Sequence, residues 1–313
     1  MPDTSLAIGI DIGGTNLRAA RVSGAGEILE RVSERIDRDA NNAIGRIIEL
    51  VRQLDNVDVT AIGIGVPGRV DARRRTVLSG GYLNLAGAAL AERVEVATGK
   101  PVIIDNDCNM ALVAEIAAGA GRGRENVVMF TIGTGIGGAI VQEGQILRGR
   151  GTAGQLGHIT VDVQGAACVC GRRGCVETTS SGTALARHIQ EASLPADTSV
   201  DDILRRAAKG NAAARRVLDA WAGPLRAAID SASAAFDPDL VLLGGGLGKA
   251  AFKALQKVPA LAPWYQYPVL PAALGDDAGV IGAAFCALIE HREPLLPPSA
   301  LVATKLTVLE RPA

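Results

Sequence analysis

Residues 8–16 read I-G-I-D-I-G-G-T-N, and residues 131–138 read T-I-G-T-G-I-G-G. Each is a short apolar run that breaks into glycines and then resumes, over 17–22 after the first and over 139–142 after the second. Strand, glycine turn, strand is a hairpin signal, and a third short strand is expected after each, over 28–32 and 145–147. The recurrence reads as an internal duplication.

Between the two units, Ile44, Ile47, Ile48, Val51 and Leu54 recur at helical spacing. A strand over 59–66 closed by Pro67-Gly68, a helix over 90–97, a strand over 101–104 and a helix over 108–118 follow. After the second unit the pattern predicts helices over 184–191, 200–208 and 212–236. A strand over 239–243 then runs into Gly244-Gly245-Gly246, and a last helix covers 278–289. Two duplicated α/β halves that bury their sheets separately predict two domains facing each other across a cleft. The glycine-rich break at 119–125 sets the boundary: a smaller domain over 1–118, and a larger one over 119–291. The tail 292–313 is a candidate to complete the first.

A chain of 313 residues is long enough for two cores. Aromatics are only 3%, so those cores must be built from Ala, Val, Leu and Ile. A net charge of −1 gives no electrostatic reason to expect nucleic acid or an anionic membrane. The N-terminus has no basic, apolar leader and no apolar run is long enough to span a bilayer, so a soluble cytoplasmic protein is expected.

Glycine turns let backbone N–H groups approach an anion, so both loops are candidate phosphate cradles, with the hydroxyls of Thr15 and Thr134 in reach. Neither is a Walker A loop or a Rossmann fingerprint. Asp11 at the mouth of the first loop suits Mg²⁺ held through water, although Asp is also a common turn residue. Asp105-Asn106-Asp107 ends a strand and enters a helix, where ligands of α/β folds bind. A carboxylate there can take a proton from a hydroxyl that attacks phosphate; equally, Asp and Asn are favoured helix caps, and one of the two Asp residues is expected to cap.

Residues 154–177 hold three of the five cysteines within eight residues, spaced C-x-C-x₄-C, with His158 ten residues upstream. His158, Cys168, Cys170 and Cys175 form the ligand set of a closed, structural zinc site. With one His158 ring nitrogen on zinc, the other is free to bind a hydroxyl. Gln155 and Glu177 are polar groups that the metal would hold in place. His188 and His291 read as surface residues.

The chain resembles the ROK family (repressors, open reading frames and kinases), and within it the ATP-dependent sugar kinases of glucokinase type. The carriers are D-I-G-G-T-N (11–16), G-V-P-G (65–68), D-N-D (105–107), G-T-G-I-G-G (133–138), G-H-I-T (157–160), C-V-C-G-R-R-G-C-V-E (168–177) and D-P-D-L-V-L-L-G-G-G (237–246). The resemblance implies an actin-like ATPase fold, usually in homodimers or tetramers. It implies ATP phosphates bound by Gly9, Asp11, Gly13, Gly14, Thr15 and Asn16, and by Gly133, Thr134, Gly135, Gly137 and Gly138. Gly245 and Gly246 would lie near the adenosine. Asp107 would be the general base, with Asn106, His158, Glu177, Asn84 and Gly68 contacting the sugar. One residue departs from the family's A-G-E-x-G-H: here Gln155 stands in the glutamate's place. Glutamine donates as well as accepts hydrogen bonds, so the swap bears on which sugar fits.

The expected activity is transfer from ATP to the 6-hydroxyl of a hexose, glucose first, with N-acetylmannosamine or N-acetylglucosamine as the alternative. A repressor of the same family would carry a helix-turn-helix segment ahead of the first loop, and here that loop begins at residue 9. A non-catalytic sugar-binding protein is opposed by both intact loops and by Asp107.

Overall fold

The computed structural model describes residues 5–73, 75–80, 83–260 and 267–292. Two five-stranded sheets carry the molecule. In the first, β1 (Leu6–Ile12), β2 (Asn16–Ser23) and β3 (Ile28–Arg35) form an antiparallel meander, and β4 (Val59–Val66) and β7 (Val102–Asn106) extend it in parallel, in the order β3-β2-β1-β4-β7. In the second, β8 (Val127–Ile132), β9 (Ile136–Gln142) and β10 (Gln145–Ile146) repeat the meander. There β11 (Leu240–Gly244) and β12 (Val269–Pro271) are the parallel pair, in the order β10-β9-β8-β11-β12. The same order in both sheets is the duplication read from the two glycine units.

Side chains alternate across a strand, and this decides what each face covers. Ile8, Ile10 and Ile12 point to the outer layer, where α1 (Ala40–Leu54) packs Ile44, Ile47 and Val51 against them. Ala7, Gly9 and Asp11 take the other face. On it lies α9 (Ala278–Arg292), with Val280, Ala284 and Ala287 in one cluster with Ala7 and Ala61. In the second sheet Val128, Phe130 and Ile132 face the outer core with Trp221 and Leu225 of α7 (Ala212–Phe236). Val127 and Met129 face Leu112 of α3 (Asp107–Ala118). So α3 and α9 lie between the two sheets.

Glycine lets α9 come this close. A Cβ on Gly9 would lie 1.8 Å from the Val280 carbonyl oxygen, and one on Gly63 would lie 1.8 Å from that of Ala283. Residues 278–291 were expected with the second half; instead α9 packs against β1, β4 and α3. An apolar helix rich in Gly and Ala does not reveal its sheet, because the partner is fixed only by the long return of the chain. The tail from residue 293 lies outside the described residues.

Besides the edge strand β12, three local elements have weak signals and escape the pattern. They are the hairpin of β5 (Arg69–Asp71) and β6 (Thr76–Ser79), the short α4 (Glu177–Ser180) and α8 (Gly248–Leu255). Among the described residues no helix is long and apolar enough to cross a membrane.

Candidate active site

Both glycine turns close as hairpins: Gly13 N–H donates to Asn16 O at 2.9 Å, and Gly133 N–H to Gly135 O at 2.9 Å. They face one cleft of about 820 Å³. Gly13, Gly14, Thr15, Asn16 and Arg18 form one wall, Gly133 and Thr134 another, and Gly246 with Leu247 a third. Gly182 and Thr183, at the start of α5 (Gly182–Glu191), complete it. Thr183 Oγ1 donates to Thr134 O at 2.9 Å and Gly182 N–H to Gly133 O at 2.8 Å, so this helix start clasps the second loop. Ser181 caps the helix and accepts from Trp221 Nε1 at 3.0 Å, which ties the clasp to the core.

Not every glycine expected to bind nucleotide faces that cleft. Gly9 lies mid-strand against α9. A Cβ on Gly135 would meet Glu177 Oε2 at 2.5 Å, one on Gly137 would meet Cys108 Sγ at 2.5 Å, and one on Gly138 would meet Leu156 Cδ1 at 2.6 Å. These four serve close packing, because neighbouring layers press onto the loops from behind. Gly245 is a turn residue, with φ of +76° and the Ile132 carbonyl oxygen 2.5 Å from where a Cβ would stand. Asp11 sits one layer below, on the α9 face: a Cβ on Gly279 would lie 2.6 Å from its Cγ. Arg18 donates to Asp11 Oδ2 at 3.2 Å and also approaches Asp276 at 3.4 Å. Burial pushes the Asp11 carboxyl up, and the Arg18 charge opposes that.

At the end of β7 the three residues of Asp105-Asn106-Asp107 have separate tasks. Neither Asp is the helix cap; Asn106 is, its Oδ1 accepting from Cys108 N at 2.9 Å and Asn109 N at 3.3 Å. Its Nδ2 donates to Gly68 O at 2.8 Å and to Asp107 Oδ1 at 2.9 Å. Both lone pairs and both protons of the amide are thus used within the protein, so Asn106 aims Asp107 and has no free group for a sugar. Asp105 is buried, accepting from Arg148 Nε at 2.7 Å and from Asn109 Nδ2 at 2.9 Å. The Asp107 Oδ1 also takes Cys108 N–H at 2.9 Å, and the Cys108 thiol bonds the same carboxyl. Burial, reinforced by the nearby Asp11 charge, pushes the Asp107 carboxyl up to about 7. Cys108 Sγ lies 3.1 Å from Thr131 Oγ1, so the start of α3 rests on the second sheet.

The stretch before the knuckle lies on the other side of β9. A Cβ on Gly157 would stand 1.9 Å from the Ile136 carbonyl oxygen, and one on Gly154 would stand 3.1 Å from that of Gly138. The side-chain amide of Gln155 has no protein partner among the described residues. Glu177 Oε2 accepts from Ile136 N at 2.8 Å, which braces the second glycine loop. Asn84 Oδ1 accepts from Ala86 N at 3.1 Å, and a Cβ on Gly80 would lie 2.6 Å from Asn84 Cα. His188 is not a free surface residue: its Nε2 lies 2.9 Å from Thr179 O. The His291 side chain lies outside the described residues.

His158, Cys168, Cys170 and Cys175 place one ligand atom each within 4.8 Å of all the others. His158 Nδ1 lies 3.6 Å from Cys168 Sγ, and Cys170 Sγ lies 3.6 Å from Cys175 Sγ. A tetrahedron with Zn–S near ~2.3 Å has edges of about 3.8 Å, so the four groups fit zinc. Burial pushes the Cys175 thiol up to about 12, so three thiolates require a cation. His158 Nε2 has no partner among the described residues.

Arg18, Arg148, Gly182 and Thr183 escape the motif reading. Thr183 had a signal, the S-S-G-T run of a capped helix start; an isolated Arg, on β2 or just after β10, has none.

Two duplicated α/β halves with both glycine loops on one cleft define a fold of the two-domain ATPase type. The ROK family model matches residues 7–290, and the chain belongs to the ROK family. A glucokinase of Thermotoga maritima is 33% identical over 309 residues, covering 91% of this chain and 97% of that one. An N-acetylmannosamine kinase of Yersinia pseudotuberculosis is 32% identical over 289 residues, covering 90% and 97%. A ROK glucokinase from Streptomyces griseus, solved with glucose and AMPPNP, superposes with a TM-score of 0.78 at 32% identity, covering 91% and 100%. The chain is a sugar kinase of this family.

Proposed function

We propose that the chain transfers the γ-phosphoryl group of ATP to the 6-hydroxyl of glucose. Asp107 carries the reading: its carboxyl is raised to about 7, and Asn106 Nδ2 and Cys108 N–H both donate to Oδ1 and so fix its aim. A general base works best with a pKa near the operating pH. The 6-hydroxyl oxygen attacks the γ-phosphorus, its proton passes to Asp107, and the bond to the β–γ bridging oxygen breaks, giving glucose 6-phosphate and ADP. The neighbouring Asp105 is held by Arg148 and is unsuited to the role.

Backbone N–H groups of Gly14, Thr15 and Thr134 cradle the phosphates, with the Thr15 and Thr134 hydroxyls and the Arg18 guanidinium adding donors. Asp11 is the carboxylate that would hold Mg²⁺, through water, and the ion would supply charge neutralisation at the phosphates. Gly246 and Leu247 adjoin the nucleoside end. His158 Nε2, Glu177 and Gln155 read the sugar hydroxyls, and zinc fixes the His158 tautomer. Gly68 and Asn84 close the far side of the sugar pocket.

N-acetylmannosamine is a second substrate reading. Gln155 has an unpartnered amide that donates as well as accepts, and the Yersinia relative at 32% identity bears that name. An ADP-release assay across glucose, mannose, fructose, N-acetylglucosamine and N-acetylmannosamine decides between them. Absence of ADP above background with all five overturns the kinase reading, and Asp107→Ala should remove turnover while sugar binding persists.

A further inference from the structure

Arg148 lies in the segment that leaves β10 and leads to Gln155 and His158. Its Nε reaches across to the first half of the molecule and donates to Asp105 Oδ2 at 2.7 Å. Asp105 is 2% exposed, whereas the Arg148 side chain keeps 21% of its surface. A carboxylate this deep is tolerated only when paired. The other Asp105 oxygen, Oδ1, accepts from Asn109 Nδ2 at 2.9 Å and from the backbone N–H of Asn106 at 2.7 Å. Asn106 in turn donates to Asp107 Oδ1 at 2.9 Å. An unbroken run of polar contacts therefore joins the segment before the knuckle to the carboxylate that faces the reacting hydroxyl. The same segment touches the first half again at Gly151, where a Cβ would lie 2.6 Å from Val70 O.

We propose that Arg148 is a positioning residue: acting through Asp105, it holds the aim of Asp107 to the sugar-binding wall, so that base and wall move as one unit. The proposal rests on the kinase reading above. Misplacing a reacting group by about 1 Å can cost about 100-fold in rate, and the pair is well placed to cause that without touching substrate.

The test is a double-mutant cycle read in kcat, with the concentration of folded enzyme fixed by glucose binding. Arg148→Ala should lower kcat about 10- to 100-fold while changing the KM for ATP by less than about threefold. Asp105→Asn keeps the shape and can still accept from Asn109, and should lose a similar factor. Arg148→Lys should recover part of the loss. The double variant should be no slower than the slower single, because both changes break one link. A pair that only stabilises the fold would lower melting temperature and leave kcat per folded molecule unchanged. That result, or single losses that multiply in the double variant, overturns the proposal. If the wild-type chain releases no ADP with any sugar, the kinase reading fails and this proposal falls with it. If wild-type turnover survives Arg148→Ala within twofold, only this proposal fails.

Discussion

Replacing Asp107 by Asn should remove activity and make the protein more stable. Folding carries the Asp107 carboxyl from an ordinary 3.8 to about 7, chiefly through burial. At about 1.4 kcal/mol per tenfold change, a wholly sealed site would cost the folded state about 4 kcal/mol at pH 8. Solvent in the cleft screens part of that, leaving about 1–3 kcal/mol for the substitution to recover. Asn keeps the local bonds, because its Oδ1 can accept from Asn106 Nδ2 and Cys108 N as Asp107 Oδ1 does. The sign follows from proton uptake. Between about 4 and 7 the folded wild type binds the proton more tightly than the unfolded chain, so its stability falls as pH rises through that window. The advantage of Asp107→Asn should be full above about pH 7, shrink below it, and vanish near pH 4. Urea denaturation of both proteins at several pH values, without nucleotide, measures this. A variant no more stable than wild type at pH 8, or an advantage that ignores pH, refutes the account of the site.

Three further outcomes are expected. On the acid side, kcat/KM should rise about tenfold per pH unit and level near 7, as Asp107 loses its proton; a limb below about pH 5 in the initial-rate profile would place the base elsewhere. Gly63→Ala puts a methyl 1.8 Å from the Ala283 carbonyl oxygen and should cost at least about 2 kcal/mol in urea denaturation; a neutral result would mean α9 can move away freely. Metal analysis should find about one zinc per chain, and Cys170→Ser should lose it and weaken glucose binding in calorimetry through His158; unchanged affinity would separate knuckle from pocket.

The architecture was legible where its determinants are local. Alternating apolar residues around I-G-I-D-I-G-G and T-I-G-T-G-I-G-G mark hairpins without help from distant parts, and so give the duplicated sheets. The zinc set was legible for the same reason, since a knuckle folds on its own neighbours in sequence. Glycines were harder. Gly9 and Gly13 look alike in a motif, but one faces α9 and the other the cleft. Only the alternation of β1, combined with knowledge of what covers each face, separates them. The bonds that Asn106 and Asp105 make were not legible, because their partners Gly68 and Arg148 are each tens of residues away.

The placement of α9 bears on how the chain folds as it is made. The first sheet is synthesised early, but the helix that covers one of its faces comes last among the described elements. At 5–20 residues per second, that face waits on the order of ten seconds or more. The centre of that face, Ala7, Gly9, Ala61 and Gly63, has little surface to stick to anything, and its larger apolar groups, Val22, Ile28 and Ile103, lie on other strands around it. The bulky Ile8, Ile10, Ile62 and Ile64 point the other way, toward α1 and its companions, which emerge in time to cover them. The small residues of β1 and β4 that later let α9 dock thus also thin the apolar surface at the centre of the waiting half-sheet.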